Sequence, residues 1–270
     1  MKVEKGLRNR FVSIVLTPRE AAILLTLLTF TYGQPLTTYY FPNYYCNQSI
    51  CPSGGPHVAC NSPYPFGYSC NGKQPQLVSM STDLQAQILD QHNRQRSLLA
   101  SGQLPGYPPA AKMPTLQWDL ELQYLAEANA RSCEYGHDKC RNTYWSKYVG
   151  QNIAIIRHFG LQISKPEAIK YFIDAWFNEY VYARAYVDSY PQYYYGPQIG
   201  HFTQIISDRT VKIGCGMVTY KTYNGDVWTN DYFVCNYSFT NIIGQPTYIK
   251  GAPGSQCVSG VSAVYPGLCN

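Results

Sequence analysis

Ten cysteines constrain this 270-residue chain more than any other feature. They stand at positions 46, 51, 60, 70, 133, 140, 215, 235, 257 and 269, all beyond the N-terminal region. The even count, with no C-x-x-C pair, points away from a thiolate metal site and toward five disulfides made in an oxidising compartment. The N-terminus agrees. Lys2, Lys5, Arg8, Arg10 and Arg19 precede the run AAILLTLLTFTYG, which is too short to span a bilayer comfortably. Small residues and a Gln-Pro step follow. Residues 1–33 therefore read as a signal peptide cleaved after Gly33, with an uncleaved signal anchor as the alternative.

Removing this leader changes the charge argument. The whole chain carries a formal charge of +5. The leader holds five basic and two acidic residues, so the mature chain is close to +2. That balance gives no basis for nucleic-acid or anionic-membrane binding. Apolar residues make up 45% and charged residues 14%, which suits a compact globular body rather than a disordered chain. Two sequons fit an exported chain: Asn47-Gln48-Ser49 in a loop-like segment, and Asn236-Tyr237-Ser238 inside a strand pattern where access is poor. Asn47 is the glycosylation candidate.

Residues 34–75 form a Pro-, Gly-, Asn- and Tyr-rich extension with four cysteines, unable to bury a core without being stapled to something. Helical spacing begins near Ser81, with Leu84 and Ile88 on one side. It returns from Trp118 through Leu122, Leu125 and Ala126. Ser164-Lys165-Pro166-Glu167 is a capping box with an early proline, and Ile169, Phe172, Ile173 and Trp176 continue it as an apolar stripe. After residue 200 the period changes to two. Residues 211–220 and 228–238 alternate around Tyr223-Asn224-Gly225-Asp226, a hairpin signal that sets Cys215 opposite Cys235. The Gly/Pro/Ser-rich tail holds Cys257 and Cys269, which most simply pair with each other. Helices followed by strands predict an α+β fold, a helix–sheet–helix sandwich.

Three residues raise the question of a site. Glu179 lies three residues after Trp176 and seven after Phe172, so its carboxylate falls on or beside an apolar helix face. There it costs free energy unless paired or wet. His137 sits between Cys133 and Cys140, where bridged cysteines would fix its loop; an ordinary surface histidine is the alternative. His201 follows Gly200 in PQIGHFTQ and could be a packing residue, a metal ligand or a base.

The motifs around these residues resemble a known family. GHFTQ with GCGMVTY, and YFVCNYSFTNIIGQ, are similar to the two signature motifs of the CAP superfamily, the cysteine-rich secretory, antigen 5 and pathogenesis-related 1 proteins. HNRQR, YGHDKC, VGQNIA and AWFNEY extend the match, and the early cysteines with CRNTYWSKYVGQNIA resemble the insect antigen 5 (venom allergen 5-like) branch. The resemblance implies an α-β-α sandwich over residues 76–249, with a C-terminal tail at 250–270. It implies a cleft lined by His137, Glu179 and His201. The position of a further acid is taken by Gln151, which cannot ionise. It also implies the pairs Cys46–Cys60, Cys51–Cys140 and Cys70–Cys133, and agrees with Cys215–Cys235.

Three functions follow as expectations. The first is an exported, non-enzymatic binding protein. No cofactor is required, but Zn²⁺ or Mg²⁺ could be held by His137, Glu179 and His201, with zinc the better match to imidazole. A sterol, other lipid or small molecule could sit nearby against some of the seven tyrosines of YVYARAYVDSYPQYYYG. The second is a toxin, allergen or immune modulator acting on a protein receptor. The third is a hydrolase using His201 as base with Thr203 or Ser207; no G-x-S-x-G or H-E-x-x-H motif supports it. No stable membrane insertion is expected. Glu179 is expected to raise the pKa of the histidines it faces.

Overall fold

The computed structural model describes residues 44–52, 54–62 and 64–270. The signal-peptide assignment, and the extension before residue 44, lie outside the described residues.

The sheet is organised by one long hairpin. Strands β5 (Lys212–Asn224) and β6 (Asp226–Tyr237) pair antiparallel from Ile213↔Tyr237 to Asn224↔Asp226. The chain reverses at Gly225, whose φ of +78° is the left-handed conformation that glycine adopts without strain. Strand β4 (Gly150–His158) flanks β6, and β1 (Gln76–Val78) flanks β5, giving the order β1-β5-β6-β4. The short strand β3 (Gln117–Trp118) adds a parallel pairing to β5. Strands β2 (Ala110–Lys112) and β7 (Ile249–Lys250) form a separate two-stranded sheet.

Alternation along β5 assigns its two faces. Ile213, Cys215 and Met217 join one core with Phe233, Cys235 and Tyr237 of β6. On this side lie helices α1 (Thr82–Ala100), α3 (Lys165–Phe177) and the short α5 (Gly200–Ile205), through Ile88, Leu99, Ile169, Phe172, Trp176 and Phe202. Val218, Tyr220, Tyr232 and Val234 face the other way. They pack on Ala126 and Ala130 of α2 (Leu120–Ala130). The architecture is thus the expected α-β-α sandwich. The approach of α2 is set by two glycines: a Cβ on Gly214 would fall 2.2 Å from the backbone nitrogen of Gln123, and one on Gly216 2.6 Å from that of Glu127.

The three longer helices, α1, α2 and α3, each start with a side-chain cap. The Ser81 hydroxyl accepts from the amide of Leu84, and Asp119 accepts from those of Glu121 and Leu122. The capping box of Ser164 and Glu167 is fully formed.

All five disulfides are those named above: Cys46–Cys60, Cys51–Cys140, Cys70–Cys133, Cys215–Cys235 and Cys257–Cys269. The extension gains a small core of its own, with Tyr45, Ile50 and Ala59 gathered on Leu125 of α2. The tail is also integrated. The Cys269 amide donates to the Met113 carbonyl, and Leu268 is fully buried. Among the described residues, no helix is long and apolar enough to cross a membrane.

Candidate functional site

His201 is the second residue of α5, and three groups hold it. Its ring stacks on Trp176 of α3 at 5.7 Å between centroids, and Trp176 in turn stacks on Phe233 of β6. Glu179 stands at the break between α3 and the four-residue helix α4 (Tyr180–Ala183). Its Oε1 is 2.6 Å from Nδ1 of His201, and its Oε2 accepts from the amides of His201 and Phe202. Both carboxylate oxygens are therefore spent on the start of α5, where negative charge and free N–H groups match. From below, Arg96 of α1 is fully buried. It donates to the carbonyls of Ile205 and Ser207 at the end of α5 and to those of Pro114 and Thr210. Burial lowers its pKa to about 9.

A buried relay fixes the backbone of His201. The side-chain amide of Asn152 donates to the His201 carbonyl and to the hydroxyl of Tyr237. Tyr237 lies 2.9 Å from Nε2 of His92, whose Nδ1 faces the Ile88 carbonyl at 2.8 Å. A carbonyl only accepts, so the His92 proton sits on Nδ1 and the Tyr237 hydroxyl donates to Nε2. Burial pushes the His92 pKa down to about 4, keeping this imidazole neutral.

His137 is held differently. Its Nδ1 is 2.8 Å from Oε1 of Gln151 on β4. The Gln151 amide nitrogen donates to Asp138 Oδ2 and Asn236 Oδ1, and the Asn236 nitrogen donates to the Leu122 carbonyl. Two acceptors facing the Gln151 nitrogen leave its oxygen toward His137, so Nδ1 of His137 carries the proton. Asp138 also binds Arg141 at 2.7 Å and Asn129 at 2.8 Å. The loop between Cys133 and Cys140 is anchored at each end by a disulfide.

His137, Gln151 and His201 line one cavity of about 670 Å³, together with Tyr190, Tyr194 and Arg141. The sequence reading thus placed the two imidazoles and the glutamine in a common space. Glu179 does not line it and stands behind His201 with both oxygens engaged. Among the described residues, no group of three or more His, Cys, Asp or Glu side chains is placed to hold a metal. The cleft offers two imidazoles backed by hydrogen-bond acceptors, not three ligands.

The expected rise in pKa fails at His137. Its pKa is lowered, chiefly because the surrounding protein disfavours the charged ring; the bond to Gln151 opposes this, while Arg141 and His201 add to it. Part of the residue stays exposed, but Glu179 is spent on α5 and gives His137 no carboxylate partner. Thr203 is buried, bonded to Ile199 and Asn241, and Ser207 is buried as well; neither lines the cavity. Of the tyrosine run, Tyr190 and Tyr194 reach the cavity, Tyr180 and Tyr186 pack on the core, and Tyr182, Tyr193 and Tyr195 are exposed. Asn47 is exposed, whereas Asn236 is fully buried in the Gln151 network.

Sequence reasoning missed Asp138, Arg141, Tyr237 and His92. Asp138 and Arg141 could have been noticed in HDKCR, where opposite charges three residues apart flank a cysteine. His92 and Tyr237 lie within the HNRQR and YFVCNYSFTNIIGQ motifs, but nothing in either motif signals that the two side chains meet.

The chain is similar to known proteins. The profile of the CAP family, described as the cysteine-rich secretory protein family, matches residues 89–237. Venom allergen-1 of Aedes albopictus is 48% identical over 227 residues, 84% of this chain and 87% of that protein. Venom allergen 5 of Dolichovespula arenaria is 35% identical over 213 residues, 76% of this chain and 98% of its own. The crystal structure of NaASP2 with Zn²⁺ superposes with a TM-score of 0.54 at 28% identity, covering 70% of this chain and 96% of that one.

Proposed function

Since this chain belongs to the cysteine-rich secretory protein (CAP) family, with antigen 5-like relatives, we propose that it is an exported, non-enzymatic binding protein whose central cavity takes a divalent metal ion through His137 and His201. One observation carries the reading. Each imidazole has its Nδ1 held by a side-chain oxygen, at 2.8 Å for His137 and 2.6 Å for His201. No hydrogen bond among the described residues engages Nε2 of either ring. An imidazole oriented through one nitrogen presents the other to a metal, and the backing acceptor raises its basicity. The solved relative NaASP2 contains Zn²⁺, which supports the choice of ion.

Glu179 and Gln151 act in this reading as positioning residues behind the two ligands. Bound there, an ion would supply a fixed positive charge able to hold an anionic or carbonyl group of a second ligand. The cavity has room for such a ligand, and Tyr190 and Tyr194 add ring faces with polar edges. A lipid or small polar molecule fits this description. The non-enzymatic part rests on the hydroxyls nearest His201: those of Thr203 and Ser207 are buried outside the cavity, so neither is placed as a nucleophile there. Export is supported by the five disulfides and by the venom allergen relatives.

Calorimetric titration with zinc tests the reading. The wild-type protein should bind, and His137→Ala and His201→Ala should each lose at least tenfold in affinity. Equal affinity in all three would end it.

A further inference from the structure

A second, smaller cavity lies on the loop that carries the first. It measures about 110 Å³. The Cys51–Cys140 disulfide borders it, and Gly54, Lys139, Arg141, Lys147 and Tyr148 wall it. Three cationic side chains converge on this space. Arg141 is paired with Asp138, but neither the Lys139 nor the Lys147 ammonium forms an ion pair among the described residues. Asp138 pairs with neither of them; its two oxygens accept from Arg141, Asn129 and Gln151. Lys139 and Lys147 thus line one small cavity without a carboxylate partner among the described residues, the Lys147 ammonium lying 5.4 Å from the centre of the Tyr144 ring.

The donors are also available. Arg141 donates from Nε and one terminal nitrogen to Asp138 and from the other to the Val149 carbonyl. A guanidinium has five N–H donors, so two remain, on a fork that three bonds already orient. Tyr148 contributes a hydroxyl with no hydrogen bond among the described residues. The space, about 110 Å³, is large enough for one tetrahedral oxyanion and accompanying water.

We propose that this cavity is an oxyanion site that takes a phosphate or sulfate group, free or at the end of an ester, through Lys139, Lys147 and Arg141. The near-neutral net charge of the mature chain conceals it, because the excess is local. Arg141 lines both cavities, but Lys139 and Lys147 line only this one, so replacing the two lysines leaves the residues of the metal reading in place. Beside it, Trp145 is 84% exposed and Tyr144 stacks on it edge-on, side chains suited to the boundary between a lipid head group and its chains.

The test uses wild-type protein and the double variant Lys139→Gln/Lys147→Gln, titrated at low salt with inorganic phosphate and with sulfate, followed by calorimetry and amide NMR shifts. The wild type should bind with shifts at residues 139–149, and the double variant should lose at least about tenfold, since charge-assisted contacts are removed. Zinc affinity should be the same in both proteins, which separates this outcome from failure of the metal reading. Flotation with phosphatidylcholine vesicles, with and without phosphatidic acid, then assigns the source. Capture only by the acidic vesicles, lost in the double variant, identifies a lipid head group. Binding of inorganic anion with no vesicle capture identifies a soluble ligand. Either result keeps the site. Absence of anion binding in the wild type, or equal binding in the double variant, overturns it.

Discussion

The two histidines of the central cavity are supported by opposite means. His201 stands on a helix held by core packing: a three-ring stack runs from it through Trp176 to Phe233, and the Glu179 carboxylate binds its ring and its helix start. His137 stands on a loop held covalently between two disulfides, and a neutral amide backs its ring. The contrast explains Gln151. A carboxylate can back His201 because the amides of α5 share its charge. At His137 the charge is already present one step away, on Asp138, which needs a donor beside it, and Gln151 donates to Asp138 with one end while accepting from His137 with the other. Two imidazoles in one cavity thus have different backing residues because their surroundings differ in charge.

The largest break in this comparison should come from the covalent arm. Replacing Cys51 and Cys140 by serine opens a link that, with Cys70–Cys133 intact, closes a loop of roughly 26 residues, and loop-closure entropy puts its contribution at about 3–4 kcal/mol. Chemical denaturation should show a loss of that order, with the Glu179–His201 contact intact in the surviving fold. Next is the packed arm. Glu179→Ala strips the acceptor from one ring nitrogen and two amides, which should cost about 3 kcal/mol and weaken zinc by roughly tenfold to a hundredfold. Glu179→Gln, keeping one acceptor oxygen, should fall between.

How far this was readable in the sequence depends on the range over which each feature is encoded. The Tyr223-Asn224-Gly225-Asp226 turn, the Ser164 capping box and the Cys215–Cys235 pair are fixed by neighbours in the chain or across one hairpin, and each was legible. The grouping of His137, Glu179 and His201 in one cleft came from the resemblance, and the place of Glu179 behind His201 did not, because it depends on amides 22 and 23 residues away. The relay through Asn152, Tyr237 and His92 joins residues up to 145 apart and left no local sign. Gly214 and Gly216 stand in the GCGMVTY motif with no local sign that they are where α2 touches the sheet.

Acid should distinguish the arms through histidines that line neither. His92 supports the His201 side, and its folded pKa of about 4 lies below the unfolded value near 6.5. The unfolded chain takes up the proton first, so stability should decline as pH falls from about 6.5 and level off below about 4, a loss of roughly 3 kcal/mol from this residue. His57 supports the His137 side by a bond to the Asn142 carbonyl, and burial lowers its pKa too, adding a loss of the same sign. Thermal melts across this range check the slope, and amide exchange should show α5 loosening first.

The smallest expected effect comes from exchanging the backing groups. Gln151→Glu sets a carboxylate against Asp138 Oδ2, where the amide now donates at 2.8 Å. The folded pKa of the new acid should rise above its unfolded value, so the cost, about 2 kcal/mol, is present at neutral pH and disappears below about pH 4. Its melts should therefore improve on acidification relative to the wild type.

The most direct test of the account is long-range proton–nitrogen NMR of the histidine side chains, with and without zinc. Without metal, His137 and His201 should both carry a proton on Nδ1. On adding zinc, the Nε2 signals of these two rings should move together while those of His57, His92 and His158 stay in place. A zinc response at any other histidine, or none at the Nε2 of His137 and His201, would contradict it.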